Sequence, residues 1–80
     1  TMARILVVDD EEGIRRVLHQ LFEYEDHEVG AAGGGAEAIS IYQEFHPDVT
    51  FLDVKMARMD GLEALTKIRE HDPNAVVVMI

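Results

Sequence analysis

The chain has 80 residues, 48% of them hydrophobic, and 16 acidic against 7 basic side chains give it a net charge of −9. That length fits one small domain, and the apolar fraction argues against disorder. The negative charge disfavours phosphate backbones, so we expect no direct nucleic-acid binding. Cysteine is absent, which excludes disulfides, thiolate metal sites and a thiol nucleophile. No apolar stretch is long enough to span a bilayer and no signal peptide is evident, so we expect a cytoplasmic location and no membrane partner.

The first half of the sequence predicts two strand–helix pairs. Residues 4–9 (RILVVD) form an apolar run that ends in acid and is typical of a strand buried on both faces. A helix with an apolar stripe at three- and four-residue spacing should follow; the stripe consists of Ile14, Val17, Leu18, Leu21 and Phe22. Asp10 is the predicted cap of this helix. Residues 28–32 predict a weaker second strand, and residues 36–45 predict a second helix that ends before Pro47.

The second half repeats the pattern. Residues 48–53 (DVTFLD) predict a third strand that again closes on an aspartate, and residues 54–60 predict a loop. A third helix should begin at Asp60–Gly61 with Leu62, Leu65 and Ile68 facing inward. Residues 75–80 (AVVVMI) predict a fourth buried strand. This alternation indicates an α/β fold with an open parallel sheet and right-handed crossovers. With no helix after it, the fourth strand should present an exposed edge and promote self-association.

Three acidic residues stand where predicted strands end. Asp9 and Asp10 close the first strand, and Asp53 closes the third. Each of these residues alone is typical of a helix cap or a turn. However, parallel strands end at one edge of a sheet, where open α/β sheets bind ligands. Carboxylates that converge raise one another's pKa unless a cation lies among them, and oxygen ligands suit Mg²⁺. Because a carboxylate can act as the attacking nucleophile, such a site also suits phosphoryl transfer.

At five places the sequence resembles the receiver domain of two-component response regulators. They are residues 5–11 (ILVVDDE), 35–38 (GAEA), 47–49 (PDV), 52–56 (LDVKM) and 59–61 (MDG). The resemblance implies a flavodoxin-like topology with strand order 2-1-3-4. It implies that Asp53 accepts a phosphoryl group from a sensor histidine kinase or a phosphotransfer protein. It also implies Mg²⁺ bound by Asp9, Asp10, Asp53 and the backbone carbonyl of Lys55. Such a module is not an enzyme beyond catalysing its own phosphorylation and dephosphorylation.

The sequence departs from the family in two ways. Ala57 stands where the family usually has proline. The switch Ser or Thr that follows the family's fourth strand and the lysine that ends its fifth strand are not present. The resemblance therefore implies that residues 1–80 are the amino-terminal two-thirds of a receiver domain.

Two other interpretations compete with a phosphoacceptor. A receiver-like scaffold would self-associate or bind partners without phosphorylation, and the predicted exposed fourth strand favours it. A metal-dependent phosphohydrolase with an aspartyl nucleophile is disfavoured. Its acids would lie two residues apart after the first strand, and residues 54–60 offer no evident general base.

Overall fold

Strands and helices alternate along the described part of the chain. The computed structural model describes residues 2–56 and 61–80. The elements are β1 (Arg4–Val8), α1 (Glu12–Tyr24), β2 (Glu28–Ala32), α2 (Gly35–Phe45), β3 (Val49–Leu52), α3 (Gly61–His71) and β4 (Val77–Met79). The four strands pair in parallel in the order β2-β1-β3-β4. The predicted α/β class and strand order 2-1-3-4 are therefore confirmed.

The central strand β1 is buried on both faces, as its apolar run predicts. Ile5 to Val8 are each 4% exposed or less, because β2 and β3 flank the strand and helices cover it. The main core lies between the sheet and helices α2 and α3; its large members include Leu6, Val8, Leu52 and Ile68. Burying a side chain of this size contributes about 1.5–3 kcal/mol to stability.

Helix α1 lies where the sequence predicts it, but its apolar stripe is only partly covered. Phe22 stacks on Phe51 of β3 with the ring centroids 5.1 Å apart. Ile14, Val17 and Leu21 are 45%, 62% and 52% exposed. Within the described residues, only part of the apolar face of α1 therefore contacts the sheet, and the rest of that face is open to solvent.

Helix α3 corrects one prediction about its inward face. Leu62 is 64% exposed, whereas Gly61, Ala64 and Ile68 are buried. These three positions share a face at the spacing of an α-helix, and Leu62 lies one residue out of phase with them. At the start of the helix, Gly61 lets the helix backbone approach the main chain of Asp53 and Val54 closely, which a leucine there would prevent.

Strand β4 is shorter and less buried than predicted. It spans three residues, and Val77 and Met79 pack against the core. Val76, Val78 and Ile80 alternate with them and are 40–57% exposed. The strand order places β4 at an edge of the sheet, and the exposure of these alternate side chains shows that one of its faces lacks a covering element among the described residues.

Part of the predicted loop after β3 lies outside the described residues. Of residues 54–60, the structure describes 54–56, so the predictions for Ala57 and for the Asp60 start of the third helix fall outside that part. None of the helices described here has the length and apolar character needed to cross a membrane.

Candidate functional site

The ends of β1 and β3 bring the three predicted acids together. Val8 pairs with Leu52 in the sheet register, and the N–H of Asp53 donates to the carbonyl of Val8 at 2.9 Å. One carboxylate oxygen from each of Asp9, Asp10 and Asp53 lies within 4.8 Å of the other two. Asp9 is buried, Asp53 is half-buried and Asp10 is exposed. The site is therefore an acidic pocket that opens to solvent.

Two of these carboxylates are tethered in the same way. Asp9 Oδ1 accepts a hydrogen bond from the N–H of Glu11 at 2.9 Å, and Asp53 Oδ1 accepts one from the N–H of Lys55 at 2.9 Å. Each is an Asx turn, in which a side chain bonds the backbone two residues later. Each turn engages one carboxylate oxygen and fixes the direction of the other.

The turn at Asp9 also explains why the predicted cap of α1 is wrong. The N-cap residue is Glu11, which forms no side-chain cap bond, and the helix begins at Glu12. Because the carboxylate of Asp9 accepts a hydrogen bond from the N–H of Glu11, the chain makes one more turn before the helix starts. Asp10 therefore precedes the cap and is placed beside Asp9 and Asp53 instead.

The electrostatics of the pocket favour a bound cation. Burial raises the pKa of Asp9, and the nearby carboxylates of Asp53 and Asp10 raise it further, while the N–H of Glu11 partly offsets them. Three carboxylates this close repel one another unless positive charge lies among them. An all-oxygen donor set of this kind fits a hard ion such as Mg²⁺. The role of the Lys55 carbonyl stays a prediction.

Gly61 belongs to this site, although the sequence indicated only a turn and a helix start there. A Cβ atom at Gly61 would lie 2.4 Å from the carbonyl oxygen of Asp53 and 2.4 Å from the Cα of Val54. The N–H of Gly61 also donates to the carbonyl of Val54 at 2.9 Å. The first turn of α3 thus presses on the backbone that carries Asp53, and only glycine has room there. A sequence pattern cannot distinguish such a glycine from an ordinary turn residue.

Comparison with known proteins places the chain in a family. Residues 5–80 match the response regulator receiver domain. The chemotaxis protein CheY of Listeria monocytogenes is 43% identical over 79 residues, which are 98% of this chain and 66% of that protein. The chain therefore belongs to the response regulator receiver domain family, and it spans about two thirds of the length of that curated relative.

Solved structures of the same class share the fold closely. The chemotaxis protein CheY4 of Vibrio cholerae superposes with a TM-score of 0.94 at 31% identity, covering 99% of this chain and 68% of that one. The response regulator TrrA of Thermotoga maritima, solved in complex with Mg²⁺ and BeF, gives a TM-score of 0.90 at 36% identity. That comparison covers 98% of this chain and 68% of TrrA.

Proposed function

We propose that the chain is the phosphoacceptor module of a two-component response regulator, with Asp53 as the nucleophile. The donor would be a phosphohistidine on a sensor histidine kinase or a phosphotransfer protein, in the cytoplasm. The observation that carries this proposal is the convergence of the Asp9, Asp10 and Asp53 carboxylates at the ends of β1 and β3. Neither nucleic acid nor a membrane is a proposed partner of these residues.

The chemistry assigns a separate task to each group. A carboxylate oxygen of Asp53 attacks phosphorus as the bond from phosphorus to the donor imidazole nitrogen breaks. The bonding pair stays on that nitrogen, and a proton on the other ring nitrogen lets the imidazole leave neutral, which gives an aspartyl phosphate. The Lys55 N–H at Oδ1 orients the attacking carboxylate. Mg²⁺, held by Asp9, Asp10, Asp53 and the Lys55 carbonyl, would neutralise charge on the transferred group. The half-buried position of Asp53 keeps it accessible to a donor.

A magnesium titration followed by a phosphoryl mimic tests this function. Backbone amide NMR would follow the chain during addition of Mg²⁺ and then of beryllofluoride. We expect shifts clustered at the residues of the acidic pocket, and loss of the beryllofluoride response in Asp53→Asn. The matched control is Asp26→Asn, which removes the same charge at an exposed turn with φ of 68°, a conformation that asparagine tolerates.

Two results would contradict the proposal. One is a folded chain that responds to neither Mg²⁺ nor beryllofluoride. The other is an Asp53→Asn variant that responds as the unsubstituted chain does. In either case these acids would not form a phosphoacceptor site, and a receiver-like scaffold would be the better description.

A second proposal concerns self-association and rests on a different observation. Strand β4 lies at the sheet edge, and its side away from β3 has no strand partner among the described residues. Val76, Val78 and Ile80 expose apolar surface there. Edge strands with these properties pair readily with other chains. We propose that the 80-residue chain associates with itself through β4, whether or not it is phosphorylated.

A further inference from the structure

Arg15 in the first part of α1 contacts the backbone of the acidic pocket. Its Nη1 donates a hydrogen bond to the carbonyl oxygen of Asp9 at 2.7 Å. That carbonyl belongs to the planar peptide group that joins Asp9 to Asp10. Holding it restrains ψ of Asp9 and φ of Asp10 together. These two angles help to set where the Cβ atoms of both residues point, and so where their carboxylates can reach.

The other polar groups of Asp9 are fixed by neighbouring backbone. Its N–H donates to the carbonyl of Ala32 in β2 at 3.1 Å, and its Oδ1 accepts from Glu11. These bonds hold the N–H and the side chain of Asp9. Arg15 supplies the bond to its carbonyl, where the chain leaves the sheet and turns toward α1.

The loop between β2 and α2 leaves room for this guanidinium. A Cβ atom at Gly33 would lie 3.3 Å from Arg15 Nη1 and 3.7 Å from Glu37 Oε1. Glu37 Oε1 in turn accepts a hydrogen bond from the N–H of Gly33 at 2.6 Å. A side chain at position 33 would therefore crowd the Arg15 guanidinium. The hydrogen bond to Glu37 holds the loop backbone where it leaves room for that guanidinium.

The neighbouring arginine provides a contrast. Arg16 pairs with Glu12 at 2.6 Å, but the two side chains are 64% and 71% exposed. An exposed pair of this kind contributes little. Arg15 instead makes a short charge-assisted bond to a backbone carbonyl in a partly buried setting.

We propose that Arg15 is a positioning residue for the cation site, which it organises by holding the Asp9–Asp10 peptide group so that both carboxylates face Asp53. This inference rests on the proposed function, since it concerns binding of Mg²⁺ to the same pocket. Groups that orient metal ligands typically change metal affinity about 10–100-fold when they are removed.

The test uses three variants and two readouts. Arg15→Gln removes the charge and shortens the donor, Arg15→Lys keeps a cationic donor, and Arg16→Gln is the matched control. The first readout is the backbone amide shift of Asp10 without metal, since that nitrogen lies in the peptide group that Arg15 holds. The second is the Mg²⁺ dissociation constant by NMR titration, together with the melting temperature of each metal-free variant.

We expect Arg15→Gln to move the Asp10 amide and to weaken Mg²⁺ binding about tenfold or more. Arg15→Lys should recover most of the affinity, and Arg16→Gln should change it less than about twofold. An unchanged Asp10 amide in Arg15→Gln would overturn the inference, as would unchanged Mg²⁺ affinity. Arg15→Lys binding as weakly as Arg15→Gln would also overturn it, because the residue would then serve only packing.

These outcomes separate the inference from the proposed function. If the unsubstituted chain binds no Mg²⁺, the proposed function fails and this inference fails with it, whatever the Asp10 amide shows. If the unsubstituted chain binds Mg²⁺ and Arg15→Gln binds it equally well, only the inference about Arg15 fails.

Discussion

Substituting Gly61 by alanine should disturb both the stability of the chain and its acidic pocket. The added methyl group would lie 2.4 Å from the Asp53 carbonyl oxygen and from the Val54 Cα, whereas ordinary contacts begin at 3.4 Å. Both neighbours are backbone atoms, so no side-chain rotation relieves the clash. Either α3 or the segment after β3 must move by about 1 Å.

The two opposing contributions of this substitution can be compared. Overpacking of this kind typically costs about 1–3 kcal/mol. Replacing glycine by alanine in a helix returns at most about 1 kcal/mol, and less at its first residue. We therefore expect a net loss of about 0.5–2.5 kcal/mol in the free energy of unfolding. For a domain of this size that corresponds to a melting temperature about 2–20 °C lower.

Thermal unfolding followed by circular dichroism would measure this change, with Gly13→Ala as the matched control. Gly13 lies in α1, and a Cβ atom there would meet nothing within 4 Å. That control should be neutral or more stable by up to about 1 kcal/mol. Because the displaced backbone carries Asp53, Gly61→Ala should also weaken the Mg²⁺ response. A Gly61→Ala variant that melts with the unsubstituted chain would refute the close approach of α3.

Further predictions concern the core, the acidic pocket and the sheet edge. Thr50 is fully buried and its hydroxyl finds no hydrogen-bond partner among the described residues. Thr50→Val should therefore raise the free energy of unfolding, measured by urea titration, by about 1–2 kcal/mol. A lower free energy of unfolding in this variant would show that the hydroxyl is hydrogen-bonded. The raised pKa of Asp9 means that the folded state binds its proton more tightly than the unfolded state, so metal-free stability should fall as pH rises from about 4 through the raised value. Asp9→Asn should remove this part of the pH dependence. The prediction would be contradicted if the melting temperatures of the two proteins changed in parallel from acid to neutral pH. Sedimentation velocity should show self-association of the chain, which Val78→Lys at the β4 edge abolishes and Leu62→Lys on α3 leaves intact. A chain that is monomeric at every concentration would exclude association through β4.

The architecture was predictable because it depends on patterns that extend over several residues. The run of four branched residues in β1 could be satisfied only by burial on both faces. Even the weak strand Glu28–Ala32 has the predicted bounds, since it is confined between a turn and a glycine tract. Parallel strands end at a common edge, and the resemblance implied that β1 and β3 are neighbours. Together these two points predicted the approach of Asp53 to Asp9 and Asp10.

Details that depend on one residue or one atom were not predictable. Leu62 was assigned to the wrong face because apolar character alone does not fix the phase of a short helix. Gly61 sets that phase through its close approach to the backbone after β3, and Ala64 and Ile68 are buried on the same face. The same limit applies to Arg15, whose partner is the backbone carbonyl of Asp9. Every residue has a backbone carbonyl, so no sequence pattern marks the one that an arginine will hold.

The geometry of the pocket links cation binding to folding. The hydrogen bonds from the backbone to Asp9 and Asp53 hold like charges together. Burial first, and the neighbouring carboxylates second, raise the pKa of Asp9, so the charged pocket costs free energy. An ion that binds only the folded pocket lowers that cost and stabilises the fold by about 2.7 kcal/mol at a hundredfold excess over its dissociation constant. For a domain with a small core, this gain is a large fraction of total stability. Repulsion among these acids therefore weakens the metal-free fold and makes the pocket responsive to a cation.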